Sequence, residues 1–299
     1  MKKIVITGSN GLLGQTLLNL LMKDLDSYRV YGLSRGKNRT GRDDFSYHSM
    51  DITNYNQLKD CLYAIKPDFI VNTAAMTNVD LCEEQKEVCH QINIDAVENL
   101  SKICSKIHSH LIQISTDFIF DGVKGNYKES DMPNPLSIYG KSKLKSEEVL
   151  LNSSIQFTIL RTILVYGKVN NLGRNNIVLW VQEMLEKKKE INMVYDQYRM
   201  PTYVEDLAMA CKISIDKGVN GIFNISSNQL LSIFQIAQQV AEVFGLQKEL
   251  IVPISTETLD QKALRPPKTG FNLSKTNKEL GLHTKSFKED LQRFKESLS

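Results

Sequence analysis

The stretch Thr7-Gly8-Ser9-Asn10-Gly11-Leu12-Leu13-Gly14 follows a short apolar run, 4–6, near the start of the chain. Its three glycines are three residues apart, directly after a predicted strand and at the start of a predicted helix. Glycine is needed where the backbone turns tightly, where it approaches a pyrophosphate, and where a helix packs closely on a strand. The helix N-terminus adds free N–H groups that bind phosphate. The segment therefore predicts a dinucleotide-binding turn built on Gly8, Gly11 and Gly14.

The first half of the chain alternates apolar, β-rich runs with helical patterns. Strands are predicted at 4–7, 29–33, 46–50, 69–72, 110–115 and 157–160, and helices at 54–65 and 84–107. This alternation predicts an α/β, Rossmann-like fold with a doubly wound parallel sheet. After about residue 165 the rhythm loosens, and helices are predicted near 176–189 and 232–245. We expect an NAD(P)-binding Rossmann domain over 1–165, to which later segments return, and a smaller C-terminal substrate-binding lobe formed mainly by 166–299.

The composition excludes several kinds of partner. The chain has 37 Lys and Arg against 34 Asp and Glu, a net charge of +3, with no basic half or tail. Nucleic acid is therefore not favoured as a partner. The apolar run near the N-terminus is too short for a signal peptide or a membrane span, so we expect no membrane partner. Five cysteines without a CxxC pair predict a reduced, cytoplasmic protein and no metal site.

The residues after the second predicted strand indicate the form of the cofactor. An acidic side chain about 20 residues past the glycines would bind the ribose 2′-hydroxyl of NAD. This chain has Ser34 and Arg35 there, and an arginine pairs well with a 2′-phosphate. NADPH is therefore the expected cofactor, with NADH as the alternative. Asp51 and Ile52 follow the third strand, where they are placed to hold the adenine ring.

Tyr139 and Lys143 are four residues apart and so lie on one face of a predicted helix. A nearby ammonium favours the phenolate and lowers a tyrosine pKa from about 10 towards neutrality. That combination suits proton transfer to a carbonyl oxygen. Tyr55 and Lys59 share the spacing, but only Tyr139 follows a strand that ends in hydroxyl residues, the last of them Thr116. We interpret Thr116, Tyr139 and Lys143 as the candidate catalytic group and the other pair as a surface feature.

Further segments in the same order extend this pattern over nearly the whole chain. They are 72–75, 77–80, 115–122, 165–167, 175–176, 196–197 with 201–202, 206–208 and 265–266. Together with the glycine turn and the Tyr139/Lys143 pair, they resemble the extended short-chain dehydrogenase/reductase superfamily and, within it, the dTDP-4-dehydrorhamnose reductase family. The run 117–122 and the late Arg-Pro pair are more specific to this family than the glycines are.

The resemblance implies reduction of the 4-keto group of a dTDP-linked 6-deoxyhexose, giving dTDP-L-rhamnose for surface polysaccharide. Its substrate would be a nucleotide sugar, with Tyr139 as proton donor beside Thr116 and Lys143. Cofactor contacts are implied at Tyr139, Lys143, Asn10, Leu12, Leu13, Ala74 and Ala75, besides those given above. Substrate contacts are implied at Thr77, Val79, Asp117, Tyr166, Asn176 and Arg265. A homodimer stays open, and no residue cluster predicts a metal.

Three positions in or near the expected sugar pocket depart from the family's usual residues. Arg199 replaces a glycine, Leu164 a tryptophan, and Met76 an aromatic residue or histidine. These departures leave open a reductase or epimerase of a different nucleotide sugar. A non-catalytic NADP-binding subunit, as in the regulatory beta subunit of methionine adenosyltransferase, is a second alternative similar to this family. Trp180 lies in an apolar run and is predicted to be a core residue.

Overall fold

The computed structural model describes residues 1–171, 173 and 175–298. The strands are β1 Lys2–Thr7, β2 Tyr28–Ser34, β3 Ser46–Ser49, β4 Phe69–Asn72, β5 His110–Thr116, β6 Phe157–Thr162, β7 Val165–Tyr166, β8 Ile191–Val194, β9 Tyr198–Arg199, β10 Thr202–Tyr203, β11 Gly221–Ile225, β12 Leu231–Ser232 and β13 Ile251–Ile254. The helices are α1 Leu12–Leu21, α2 Tyr55–Ile65, α3 Val79–Glu84, α4 Lys86–His90, α5 Ala96–Ile107, α6 Ile138–Leu151, α7 Ile177–Glu186, α8 Val204–Lys217, α9 Ile233–Phe244 and α10 Phe287–Glu296.

The central element is a parallel sheet. Within the described residues, seven strands pair in the order β11-β6-β5-β4-β1-β2-β3, and every neighbouring pair is parallel. The predicted α/β, Rossmann-like doubly wound sheet is therefore confirmed, and all six predicted strands belong to it. The seventh strand, β11, comes from residues beyond 220, where the sequence indicated no particular strand.

Apolar side chains cover both faces of the sheet, as parallel sheets require. On one face α1 and α8 pack against the strands through Leu17, Leu21 and Leu207. On the other face α2, α5 and α6 contribute a second core, which includes Leu58 and Leu100. These five side chains are almost completely buried, and burying each contributes about 1.5–3 kcal/mol. Since α8 follows residue 165, the later part of the chain supplies a helix and a strand to the sheet layer.

A third apolar core joins α7, α9 and α10 to the small parallel pair of β8 and β13. The predicted helix at 232–245 is confirmed over Ile233–Phe244. Ser232 caps it with a reciprocal side-chain bond to Gln235, and Gly245 ends it in the left-handed conformation at φ +71°. No helix among the described residues has both the length and the apolar character needed to cross a bilayer.

The helix predicted at 84–107 is interrupted twice. α4 begins after a break at Gln85, and a π-helical turn, Gln91–Asp95, joins α4 to α5. The turn brings Asn93 inward, where its amide oxygen accepts from the Met76 backbone N–H (2.9 Å) and its Nδ2 donates to the Met76 carbonyl (3.1 Å) and to Ser142 Oγ (3.0 Å). The π turn therefore connects the chain after β4 to α6. Such turns concentrate at functional sites.

The order of the strands fixes where a ligand can bind. β2 and β3 lie on one side of β1 and β4, β5, β6 and β11 on the other, so the order of the strands changes side at β1. Loops on either side of such a point diverge and leave a crevice at the carboxyl ends of the strands. The glycine turn after β1, the segment after β4 and Thr116 at the end of β5 all lie at this edge.

Substituting Gly140 by alanine is expected to lower the free energy of unfolding by about 1–3 kcal/mol. A Cβ at this position would overlap the carbonyl oxygen of Phe118 and would lie 3.0 Å from Cβ of Pro135, so α6 would have to move away from the chain after β5. Urea unfolding measures the effect. The matched control is Lys141→Ala at the exposed neighbouring position, where we expect a change below about 0.5 kcal/mol. Equal losses in the two variants would contradict the close packing of α6.

Candidate active site

The glycine turn leaves no room for side chains. Gly8 has φ +67°, and a Cβ there would lie 2.8 Å from the backbone nitrogen of Ala74. A Cβ at Gly14 would overlap the carbonyl oxygen of Gly8. Gly11 is the N-cap of α1 and has no side chain to occupy the N–H groups of the first turn, so these donors stay free for an anion. The turn therefore fits a bound pyrophosphate.

A cavity of about 450 Å³ begins at this turn, and we call it the cofactor cavity. Eight of the predicted cofactor residues line it: Gly8, Gly11, Ser34, Arg35, Asp51, Ile52, Ala74 and Ala75. Arg35 Nη1 lies 3.8 Å from Asp51 Oδ2, and the Arg35 side chain is 72% exposed. Its guanidinium is thus available to a phosphate at the end of β2. The cavity fits an NADP-type dinucleotide.

Asn10 holds the loop that carries the basic residues. Its Nδ2 donates to the carbonyl of Lys37 (2.9 Å) and its Oδ1 accepts from the backbone N–H of Arg39 (2.9 Å). Leu13 and Gly14 were also predicted to contact the cofactor, but they are not among the residues that line the cofactor cavity. Leu13 packs into the apolar cores, and Gly14 is buried in the turn. Their contribution is to the shape of the turn.

The candidate catalytic residues come from two adjacent elements. Thr116 ends β5 and is buried. Tyr139 and Lys143 lie in the first two turns of α6, where Ser137 caps the helix by accepting from the Gly140 N–H (3.1 Å). The Tyr139 ring is half-buried and meets the Phe118 ring edge to face at 5.9 Å. Lys143 is only 3% exposed.

The surroundings of Tyr139 and Lys143 act on their pKa values in opposite senses. Burial raises the pKa of the Tyr139 phenol, whereas the Thr116 hydroxyl lowers it and the Asp117 carboxylate raises it further. Burial lowers the pKa of Lys143 to about 8, and the negative groups Glu147 and Cys89 oppose that fall. Both shifts follow from removing a charged form from water.

A smaller cavity of about 240 Å³, the inner cavity, lies beside Phe118. Asp117 and Arg265, both predicted substrate contacts, line it, as does Arg199. Asp117 is buried, accepts a hydrogen bond from Thr269, and has Arg199 Nε at 3.8 Å from its Oδ2. Burial raises the pKa of Asp117 while the Arg199 guanidinium opposes the rise. The sequence identified Arg199 as a departure from the family but did not predict a buried cation here.

Arg265 is held at the edge of the inner cavity by α3. Its Nη2 lies 2.6 Å from Oδ2 of Asp80, and the backbone N–H of Ala263 donates to the other oxygen of the same carboxylate (3.1 Å). The Arg265 guanidinium holds the pKa of Asp80 below its usual value. The segment before Arg265 is therefore tied to the helix that borders the cofactor cavity.

A wide, open cleft of about 1040 Å³ lies between the glycine turn and α7. Thr77 and Asn176, predicted substrate contacts, line it with Arg39, Leu164 and Trp180. Asn176 also caps α7 and donates to the Gly167 carbonyl (2.7 Å). The prediction that Trp180 is a core residue is wrong, because its side chain is 38% exposed. The buried face of α7 consists of Val178, Val181 and Leu185, and Trp180 points away from it.

Two other predicted substrate contacts are not brought to these cavities. Tyr166 is completely buried, because β7 pairs with β10 and directs its ring into the third core. There it stacks on Tyr203 with a centroid distance of 5.6 Å. Val79 is the first residue of α3 and is half-buried. We therefore correct the role expected of Tyr166 to core packing. Val79 is not among the residues that line the three cavities described above.

Comparison with known proteins supports the motifs noted above. A family model described as the RmlD substrate binding domain matches residues 1–299. A dTDP-4-dehydrorhamnose reductase of Aggregatibacter actinomycetemcomitans is 31% identical over 99% of each chain. The methionine adenosyltransferase 2 subunit beta of Bos taurus is 30% identical over 85% of this chain and 75% of that protein.

A solved structure gives the same result. The dTDP-4-dehydrorhamnose reductase of Bacillus anthracis in complex with NADP has a TM-score of 0.88 and 28% identity to this chain, over 99% of both chains. The resemblance predicted from the motifs is confirmed, and the chain belongs to the RmlD substrate binding domain family.

Proposed function

We propose that the protein is an NADPH-dependent oxidoreductase that reduces the 4-keto group of a nucleotide-linked 6-deoxyhexose, dTDP-4-dehydrorhamnose, to dTDP-L-rhamnose. The observation that carries the proposal is the position of Tyr139. Its ring contacts Phe118, which lines the inner cavity, and its helix connects through Ser142 and Asn93 to Met76 in the wall of the cofactor cavity. The similarity to dTDP-4-dehydrorhamnose reductases supports the same substrate.

Each catalytic residue has a separate task in the proposed reaction. NADPH, when bound, supplies the hydride. Tyr139 donates its phenolic proton to the carbonyl oxygen, and Thr116 orients that oxygen with its hydroxyl. Lys143, while charged, would favour the phenolate form of Tyr139 and would donate hydrogen bonds to the nicotinamide ribose. Because Thr116 and Lys143 are buried, their electrostatic effects on Tyr139 are stronger than in solution.

The substrate would lie between the open cleft and the inner cavity, and Leu164 borders both. Two guanidinium groups, Arg199 and Arg265, are suited to the negative diphosphate of a nucleotide sugar. Trp180 offers an exposed aromatic face in the cleft. We propose that the lobe formed by α7, α9 and α10 provides this half of the site. The homodimer stays a prediction that sedimentation would test.

A second candidate function follows from the similarity to the methionine adenosyltransferase 2 subunit beta. In that case the chain would bind NADP and a partner protein without turning over a sugar. Coverage differs between the two kinds of relative, since the reductase matches over 99% of its own length and the beta subunit over 75%. The reductase is therefore our first proposal.

The first experiment follows NADPH oxidation with dTDP-4-dehydrorhamnose and a panel of other nucleotide-linked 4-keto sugars, with the product identified by NMR. We expect stoichiometric NADPH consumption and dTDP-L-rhamnose as the product. Turnover of another sugar alone would reassign the substrate. Tight NADPH binding without turnover of any sugar would overturn the reductase and favour the second candidate.

Replacing Tyr139 by phenylalanine is expected to lower kcat by about 10²–10⁴-fold, because the proton donor is lost. Binding of NADPH, measured by fluorescence titration, should change little. Tyr55→Phe is the matched control, since Tyr55 also has a lysine four residues later but lies exposed on α2, with Lys59 Nζ 5.8 Å from its ring centroid. The mechanism is wrong if Tyr139→Phe keeps most of its kcat at saturating substrate.

Substituting Arg35 by alanine is expected to raise KM for NADPH by about 10–100-fold, because one charge-assisted hydrogen bond to the phosphate is lost. KM for NADH should stay nearly constant, because NADH lacks the 2′-phosphate. Steady-state kinetics with both cofactors measure the ratio. Arg42→Ala serves as the control within the same loop, since Arg42 is already paired with Asp44 through Nε (2.9 Å). Parallel losses for both cofactors would contradict the role of Arg35.

A further inference from the structure

A fully buried carboxylate lies one helical turn after Lys143. Glu147 has no exposed surface. Its oxygens accept from the Ser115 hydroxyl and from the Arg161 guanidinium, with Nε at 3.0 Å from Oε1 and Nη2 at 2.7 Å from Oε2. None of these three residues takes part in the proposed transfer of hydride and proton.

Arg161 on β6 completes a closed cluster around Glu147. Its Nη1 donates to the Glu129 carbonyl (3.1 Å), and its guanidinium carbon lies 5.4 Å from the centroid of the Phe120 ring. Arg161 is 2% exposed, so the cluster has no surface for a ligand. Burying an ion pair costs desolvation energy that the attraction often does no more than offset. The ion pair therefore need not stabilise the fold, and its effect on the neighbouring residues is what matters.

The cluster joins the two elements that carry the candidate catalytic residues. Ser115 precedes Thr116 on β5, and Glu147 lies on α6 with Tyr139 and Lys143. The hydrogen bond from Ser115 to Glu147 thus fixes α6 relative to the end of β5. Any change in it would alter the positions of Thr116 and Lys143 together.

The charged and titratable groups that face Lys143 come from several elements. Glu147 acts on Lys143 from its own helix and Cys89 acts on it from α4. The neighbouring Tyr139 is acted on by Asp117 after β5, Cys82 on α3 and Cys89. Burial lowers the pKa of Lys143 to about 8, and among the groups that raise it Glu147 acts more strongly than Cys89. Glu147 is thus the main negative charge that favours the ammonium form.

We propose that Glu147 is a positioning residue of the active site, which holds α6 against β5 and sets the electrostatic environment of Lys143 one helical turn away. This inference rests on the proposed function for the role of Lys143 in catalysis. The effect of Glu147 on the charge of Lys143 does not depend on which sugar is reduced.

The test is the pH dependence of Glu147→Gln between about pH 6 and pH 9. Glutamine keeps an acceptor oxygen for Ser115 and Arg161 but removes the negative charge. Loss of a nearby opposite charge lowers a lysine pKa. The alkaline limb of kcat/KM, which reports groups of the free enzyme, should therefore move to measurably lower pH. Activity near pH 6 should return towards the wild-type value, whereas a merely structural defect would lower it at every pH.

NADPH binding provides a readout that needs no substrate. The alkaline limb of NADPH affinity, followed by fluorescence, should shift in the same direction as that of kcat/KM. Glu148→Gln is the matched control, because Glu148 is the next residue of α6 but its side chain is 43% exposed and paired with Lys145 (2.9 Å). The alkaline limb of this variant should stay at the wild-type pH. If wild-type protein reduces no sugar, the proposed function fails, while this shift in binding still tests Glu147.

The double variant Glu147→Met with Arg161→Met addresses a loss of folding, since replacing both members of a buried pair by apolar residues is often tolerated. This variant removes the Arg161 cation together with the carboxylate, so the two losses of charge partly cancel at Lys143. Its alkaline limb should therefore move to lower pH by less than that of Glu147→Gln. It decides the question if Glu147→Gln does not fold. A wild-type limb in whichever of the two variants is folded would overturn the proposal.

Discussion

The close backbone contact between the turn after β1 and the chain after β4 determines where the rest of the site can lie. Gly8 approaches Ala74 so closely that a side chain would displace it, and Gly14 packs α1 onto the same turn. This contact opens the N-terminus of α1 towards the crevice where the strand order reverses. The cofactor cavity is the space left beside it. A second close approach, α6 on the Phe118 carbonyl at Gly140, then brings Tyr139 to the same edge of the sheet.

Local patterns were sufficient to predict the elements at this edge. Three patterns carry the prediction: the glycine turn, the hydroxyl residues at the end of β5 and the Tyr139/Lys143 spacing. Each of them is contained within a short stretch of sequence. The sheet could therefore be predicted, as could most of the cofactor cavity. β11 could not, because its five residues carry no distinctive pattern and its partner strand, β6, lies far earlier in the chain.

The substrate half of the site depends on contacts between distant segments, and there the predictions were weaker. Tyr166 matched a family motif, yet the pairing of β7 with β10 turns it into the core. Trp180 lies in an apolar run, and the orientation of α7 rather than the run decides that it faces the cleft. Arg199 is recognisable in the sequence as an unusual residue. Its position beside Asp117 becomes visible only when β9 and the end of β5 are brought together.

The charges around the site explain how a chain with a net charge of only +3 can be suited to two anionic ligands. Three buried or half-buried arginines each have a carboxylate beside them: Arg199 has Asp117, Arg265 has Asp80, and Arg161 has Glu147. Lys143 differs, because it has no carboxylate within salt-bridge distance among the described residues and relies on Glu147 one turn away. Burial of Lys143 strengthens the effect of its charge on Tyr139, but burial also favours the neutral form of the lysine. A surface carboxylate such as Glu148 would be screened, so only a buried one can oppose that neutralisation.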